Sequence, residues 1–114
     1  MIKFNNKLYH CPLEMTIDLI GGKWKVILLW NLSNQTLRFN EIRKIFPEAT
    51  QKMLTQQLRD LEDNGLVSRK VYAQVPPKVE YSITEFGKSL MPILHEMNQW
   101  GTDYANKVKA NDDS

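Results

Sequence analysis

A mostly helical domain with one small β-hairpin is the fold class that this 114-residue sequence predicts. Three observations carry that expectation. Apolar residues recur at three- and four-residue steps through most of the chain, with Gly, Pro and short polar residues at the joints. Between Val67 and Ile83 the period falls to two, interrupted once by Gln74-Val75-Pro76-Pro77. Around Pro47, two helical patterns are separated by so short a turn that they must meet at a corner.

Each element follows from its residues. Pro12 suits a first helical position with Cys11 as the cap, and the apolar set Leu13, Ile17 and Ile20 follows at helical spacing. Gly21-Gly22 ends that helix. The next segment, "KWKVILLWNL", is apolar nearly all round and so belongs in the centre of the core. Leu37-Arg38-Phe39 reads as a brief extended piece. Asn40 is the expected cap of a third helix that turns Ile42, Ile45 and Phe46 inward and stops at Pro47. Thr50 caps a fourth helix that runs to Asn64, with Gly65 as its left-handed terminator. In the hairpin, Val67, Arg69 and Val71 alternate with Ser68, Lys70 and Tyr72. Val79, Tyr81 and Ile83 then alternate with Lys78, Glu80 and Ser82. Thr84 caps a last helical region over residues 85–107, which Pro92 must kink or divide.

The Thr50 helix has an unusual charge pattern. Leu54, Leu58 and Leu61 fall on one side, while Lys52, Thr55, Gln56 and Arg59 occupy the opposite arc. Gln51 to Arg59 includes no acid; Asp60, Glu62 and Asp63 come only afterwards. Helix, helix, short strand, helix-turn-helix, hairpin, helix is the winged-helix order. A helix entering the major groove of DNA must keep carboxylates from the phosphates. Gln pairs with adenine edges, Arg and Lys with guanine, and a Thr methyl contacts thymine. The expected recognition set is therefore Gln51, Lys52, Thr55, Gln56 and Arg59. Arg38, Asn40 and Lys78 are expected on the DNA backbone, and Arg69 and Lys70 lie on the hairpin stem. The competing reading is a solvated helix face, or a winged-helix protein-interaction module without DNA binding. Such a module would be expected to show aromatic or aliphatic anchors, which this arc lacks.

The segments "CPLEMTIDLIGGKWKVILLWNL" and "LRFNEIRKIFPEATQKMLTQQLRDLEDNGLVSRKVYAQVPPKVEYSITEFGKSLMPIL" resemble the HxlR family of bacterial winged-helix transcription regulators, relatives of the MarR group. The resemblance spans about residues 11–101 and includes "GGKWK", "RFNEI", "QKMLTQQLRDLE" and "VPPKVEYSIT" in the family's order. It implies a homodimer with the Thr50 helix in the major groove and the Pro76–Lys78 wing alongside. It also implies a sensor at Cys11, because several family members respond to oxidants or reactive electrophiles through a cysteine near this N-terminal position.

The sequence divides into an N-terminal arm (1–10), a winged helix-turn-helix domain with a C-terminal dimerisation helix (11–107), and a flexible tail (108–114). Phe86, Leu90, Ile93, Leu94, Met97, Trp100 and Tyr104 exceed what one small core needs. Phe4, Leu90, Leu94, Met97, Trp100 and Tyr104 are the expected dimer interface. The alternative is that they merely close the core. Cys11 beside His10, at a helix start, is read either as a redox or electrophile sensor or as a small buried hydrophobe. Being the single cysteine, it forms no internal disulfide, which suits a reducing cytoplasm.

Other classes find little support. The longest apolar run, Val26 to Trp30, is far short of the roughly 18 residues of a membrane span. His10 and His95 supply no catalytic set with Cys11, and "GGKWK" is too short to cradle a phosphate. Neither enzyme activity, metal nor cofactor is expected. The expected partners are an operator in double-stranded DNA, a second copy of the chain, and a reactive small-molecule effector.

Overall fold

The structure is a computed structural model and describes residues 1–112. Strands β1 (Ile2–Phe4) and β2 (Lys7–Tyr9) form an antiparallel hairpin that rests on α1 (Pro12–Ile20). Helix α2 (Lys25–Leu32) leads through β3 (Leu37–Arg38) into α3 (Phe39–Ile45) and α4 (Gln51–Asp63). Strands β4 (Val67–Tyr72) and β5 (Lys78–Ile83) make the wing, followed by α5 (Glu85–Lys88) and α6 (Met91–Asp112). The short extended piece β3 pairs with β5, giving a three-stranded antiparallel sheet in the order β3-β5-β4. This is the winged helix-turn-helix arrangement.

Apolar burial sets the positions of the helices. Leu28, Leu29 and Leu32 of α2 lie at the centre, against Leu54, Leu58 and Leu61 of α4 and Ile42 of α3. Trp24, just before α2, meets the Phe46 ring edge-on at 5.6 Å, which ties the helix-turn-helix corner to the body. Thr84 joins the wing to the last helices. Its backbone N–H donates to the Leu66 carbonyl and its hydroxyl donates to the Gly65 carbonyl, while the same oxygen caps α5 by accepting from Gly87 N–H. Gly87 lies so close to the Leu66 carbonyl that any side chain there would collide with backbone.

Several expectations are corrected. Arg38, not Asn40, occupies the cap position of α3, and Asn40 lies within the helix. An arginine side chain has no acceptor for a capping bond. Instead the Glu41 carboxylate accepts from the Arg38 backbone N–H at 2.8 Å, securing the junction from inside the helix. Ile45, expected inward with Ile42 and Phe46, is exposed, because α3 meets the core along a narrower strip than its apolar stripe; on α1, Leu13 and Ile17 are exposed and only Ile20 is buried. Pro92 divides the last helical region rather than kinking it, standing in the first turn of α6. That helix continues to Asp112, so positions 108–112, expected as tail, are helical; Asp113 and Ser114 lie outside the described residues.

Candidate nucleic-acid interface

Helix α4 is held at both ends by its own sequence. The Thr50 hydroxyl accepts from Met53 N–H at 3.1 Å, and Gly65 takes the left-handed conformation at φ 75° that a side chain would resist. With Leu54, Leu58 and Leu61 buried, rotation about the helix axis is fixed. Gln51, Lys52, Gln56 and Arg59 are then exposed and Thr55 is half-exposed. No acid stands in the first turn, so the partial positive charge of the helix N-terminus is unopposed there. Gln56 donates to Asp60 at 2.9 Å, while Asp60 also pairs with Lys25 of α2 at 3.4 Å. That carboxylate therefore turns toward the protein body and leaves a second Gln56 amide hydrogen for another acceptor.

Sequence reasoning placed Arg69 on the wing stem without linking it to α4. Arg69 shares a crevice with Thr55, Arg59, Glu62 and Tyr81, which brings a wing cation beside the helix arc. The signal was present: alternation puts Arg69 on the same strand face as the buried Val67.

Arg38, Asn40 and Lys78 come together around one groove of about 250 Å³, shared with Gln74, Pro76 and Pro77 at the wing tip. Arg38 and Asn40 are exposed. Lys78 is not a free cation. Its ammonium lies 2.8 Å from Glu80 Oε1 and 4.7 Å from the centre of the Tyr72 ring, and its side chain is only 24% exposed. The hydrogen bond from Lys78, with a second from the Tyr72 hydroxyl, holds the Glu80 carboxyl below the ordinary carboxylate range against the opposing effect of burial.

In the protomer Cys11 is exposed at the cap position of α1 and makes no side-chain cap bond. Two residues earlier, Tyr9 donates to Asp18 of α1 at 2.6 Å, and Lys7 pairs with the same carboxylate at 3.4 Å. The Tyr9 hydrogen bond and then Lys7 hold Asp18 below the usual carboxylate range, and Asp18 in turn raises the Tyr9 phenol.

The expected dimer residues separate into two groups. Leu94 is buried in the protomer's own core and Leu90 is half-buried against it, so these two close the body. Met97, Trp100 and Tyr104 are exposed together with Ile93, and Phe4 stands at the edge of exposure on the arm. Trp100 and Tyr104 stack at 5.1 Å, with 68% of Trp100 exposed.

A capped helix with an acid-free leading edge, set at a corner beside a cation-bearing hairpin, defines a winged helix-turn-helix regulator. The chain belongs to the HxlR-like helix-turn-helix family, whose model matches residues 19–109. It is 56% identical over 98 residues to the HTH-type transcriptional regulator YdeP of Bacillus subtilis (strain 168), covering 86% of this chain and 77% of that protein. Among solved structures it is similar to the redox regulator HypR in its reduced form, with TM-score 0.83 and 53% identity over 88% of this chain and 99% of that one. The oxidised form of HypR matches at TM-score 0.77 and 58% identity, over 82% and 96%. The reduced form of the transcriptional regulator YodB from B. subtilis matches at TM-score 0.71 and 36% identity, over 81% and 91%. The protein is thus a transcriptional regulator of the HxlR type, MarR-like in fold, and not an enzyme. No helix among the described residues is long and apolar enough to cross a membrane.

Proposed function

We propose that the protein is a sequence-specific DNA-binding regulator that acts in the cytoplasm as a homodimer on an inverted-repeat operator, with Cys11 as an oxidant- or electrophile-responsive switch. The observation that carries this reading is α4: a 13-residue helix whose buried leucines aim Gln51, Lys52, Thr55, Gln56 and Arg59 outward. Those five side chains read the major groove, while Arg38, Asn40 and Lys78, gathered at the wing tip, grip the phosphate backbone beside it. Met97, Trp100 and Tyr104 pair across a two-fold axis, with Phe4 at the margin. This sets two recognition helices about 34 Å apart, one helical turn of DNA.

The redox part rests on exposure of Cys11 and on likeness to HypR, a redox regulator solved in reduced and oxidised forms. With one thiol per chain, oxidation by diamide joins Cys11 either to a second subunit or to a small thiol. Two thiols lose two protons and two electrons to the oxidant as the S–S bond forms. A reactive electrophile would instead add to the Cys11 thiolate.

Selection of bound duplexes from a random DNA pool, repeated after diamide treatment and with Cys11→Ser, tests the whole reading. The expected result is a two-fold-symmetric site whose affinity changes on oxidation in the wild type and not in Cys11→Ser. Failure to enrich any site removes the DNA role, and an equal response in both proteins removes Cys11 from the mechanism. A protein-interaction module would bind with little dependence on salt, whereas phosphate neutralisation makes DNA binding steeply salt-dependent.

A further inference from the structure

The wing contradicts the rule that α4 obeys. Where α4 keeps acids off its leading turns, the wing holds Glu80 among cations. The strand register sets Arg38 and Lys70 opposite Glu80 on either side, and sets Tyr72 opposite Lys78, so these side chains share one face of the sheet. Both carboxylate oxygens are engaged. Oε1 lies 2.8 Å from Lys78, and Oε2 accepts from the Tyr72 hydroxyl at 3.2 Å. The Tyr72 ring lies under two ammonium groups, Lys78 at 4.7 Å and Lys70 at 4.8 Å. Glu80 is as withdrawn as its partner, with 20% of its side chain exposed against 24% for Lys78.

We propose that Glu80 limits the wing's grip on DNA by holding Lys78 against Tyr72 in the free protein, so that a phosphate must compete for that ammonium. The inference rests on the DNA-binding reading given above. Two effects act in the same direction. Lys78 reaches a phosphate only by giving up a short, half-buried ion pair, and the carboxylate left behind repels the polyanion. Wing contacts to the backbone carry no sequence information, so the restraint falls on the part of binding common to all duplexes. A regulator with an unrestrained wing would spend longer on irrelevant DNA.

Glu80→Gln keeps the size of the side chain and an acceptor for the Tyr72 hydroxyl, and removes the charge. Affinity is measured against salt for the pool-selected duplex and for a scrambled one. Both are expected to tighten by at least about fivefold at low salt, since a fully exposed ion pair already reaches that scale and this one is half-buried. The salt slope should steepen by about one unit, as for one added phosphate contact. Without DNA, carboxyl NMR titration should show Glu80 protonating at higher pH in Lys78→Gln than in the wild type. Unchanged or weaker DNA binding by Glu80→Gln overturns the proposal, as does a Glu80 titration indifferent to Lys78. A wild type that binds no duplex overturns the DNA reading as well, whereas a binding wild type with an unresponsive Glu80→Gln overturns this proposal alone.

Discussion

Two exposed surfaces of this molecule are both helical and have opposite chemistry. Helix α4 presents Lys52, Gln56 and Arg59 to solvent, and the far half of α6 presents Met97, Trp100 and Tyr104. Helix α4 is buried along its other side by three leucines, whereas α6 beyond Leu94 is exposed through Asn111. A 22-residue helix spans roughly 33 Å, so most of α6 projects away from its own core. Water solvates the α4 arc at no cost and leaves the α6 rings in contact with solvent that does not favour them. The first surface can wait for an intermittent polar ligand. The second calls for a permanent apolar partner.

That contrast breaks first at Trp100. Trp100→Glu should weaken self-association by more than about 2 kcal/mol, as loss of an interface anchor does, while the winged core stays folded. Sedimentation would show monomer at micromolar concentration, and a wild type that is equally monomeric ends the dimer assignment. Arg59→Ala probes the other surface. It should cost about 1–3 kcal/mol of operator affinity if the guanidinium pairs with a base edge, without altering self-association. Loss shared by operator and scrambled duplexes would move Arg59 to the phosphate backbone.

The smallest effect lies at the arm. The folded Asp18 carboxyl titrates low, so its contribution is present above the ordinary carboxylate value and is lost as pH falls through the depressed one. The Tyr9 phenol titrates high, so its contribution persists below the ordinary phenol value and is lost as pH rises through the raised one. Hydrogen exchange in the β1–β2 hairpin should therefore quicken on strong acidification and again at high alkalinity, while α4 amides remain protected. Uniform exchange changes across both elements would show that the Tyr9–Asp18 contact does not tether the arm.

Most of the fold was legible because local signals and burial agree. Thr50, the three leucines and Gly65 bound α4 from sequence alone, and alternation through Val79, Tyr81 and Ile83 located the wing. What escaped depends on neighbours. Spacing grouped Leu13 and Ile17 with Ile20 and turned Ile45 inward, yet Leu13, Ile17 and Ile45 are exposed, because spacing says nothing about which element covers a face. Leu94 and Met97 follow the same spacing on α6, yet only Leu94 meets the core, because the body ends between them. The arm hairpin carried a signal that went unread. Asn5 and Asn6 take φ 49° and 62°, the left-handed pair that a two-residue turn requires and that asparagine tolerates. The Lys78–Glu80–Tyr72 cluster needed strand register, which spacing across a proline-rich interruption does not supply.

Gly87 has reach beyond its own turn. Because its bare α-carbon sits against the Leu66 carbonyl, α5 lies tight on the root of the wing, and the Gly87 carbonyl accepts from Leu90 N–H just before α6 begins. In the proposed pair joined through α6, the same contact would govern how far apart the two α4 helices stand. A single added methyl at this hidden joint would push α5 off the root of the wing while leaving the outward arc of α4 in place.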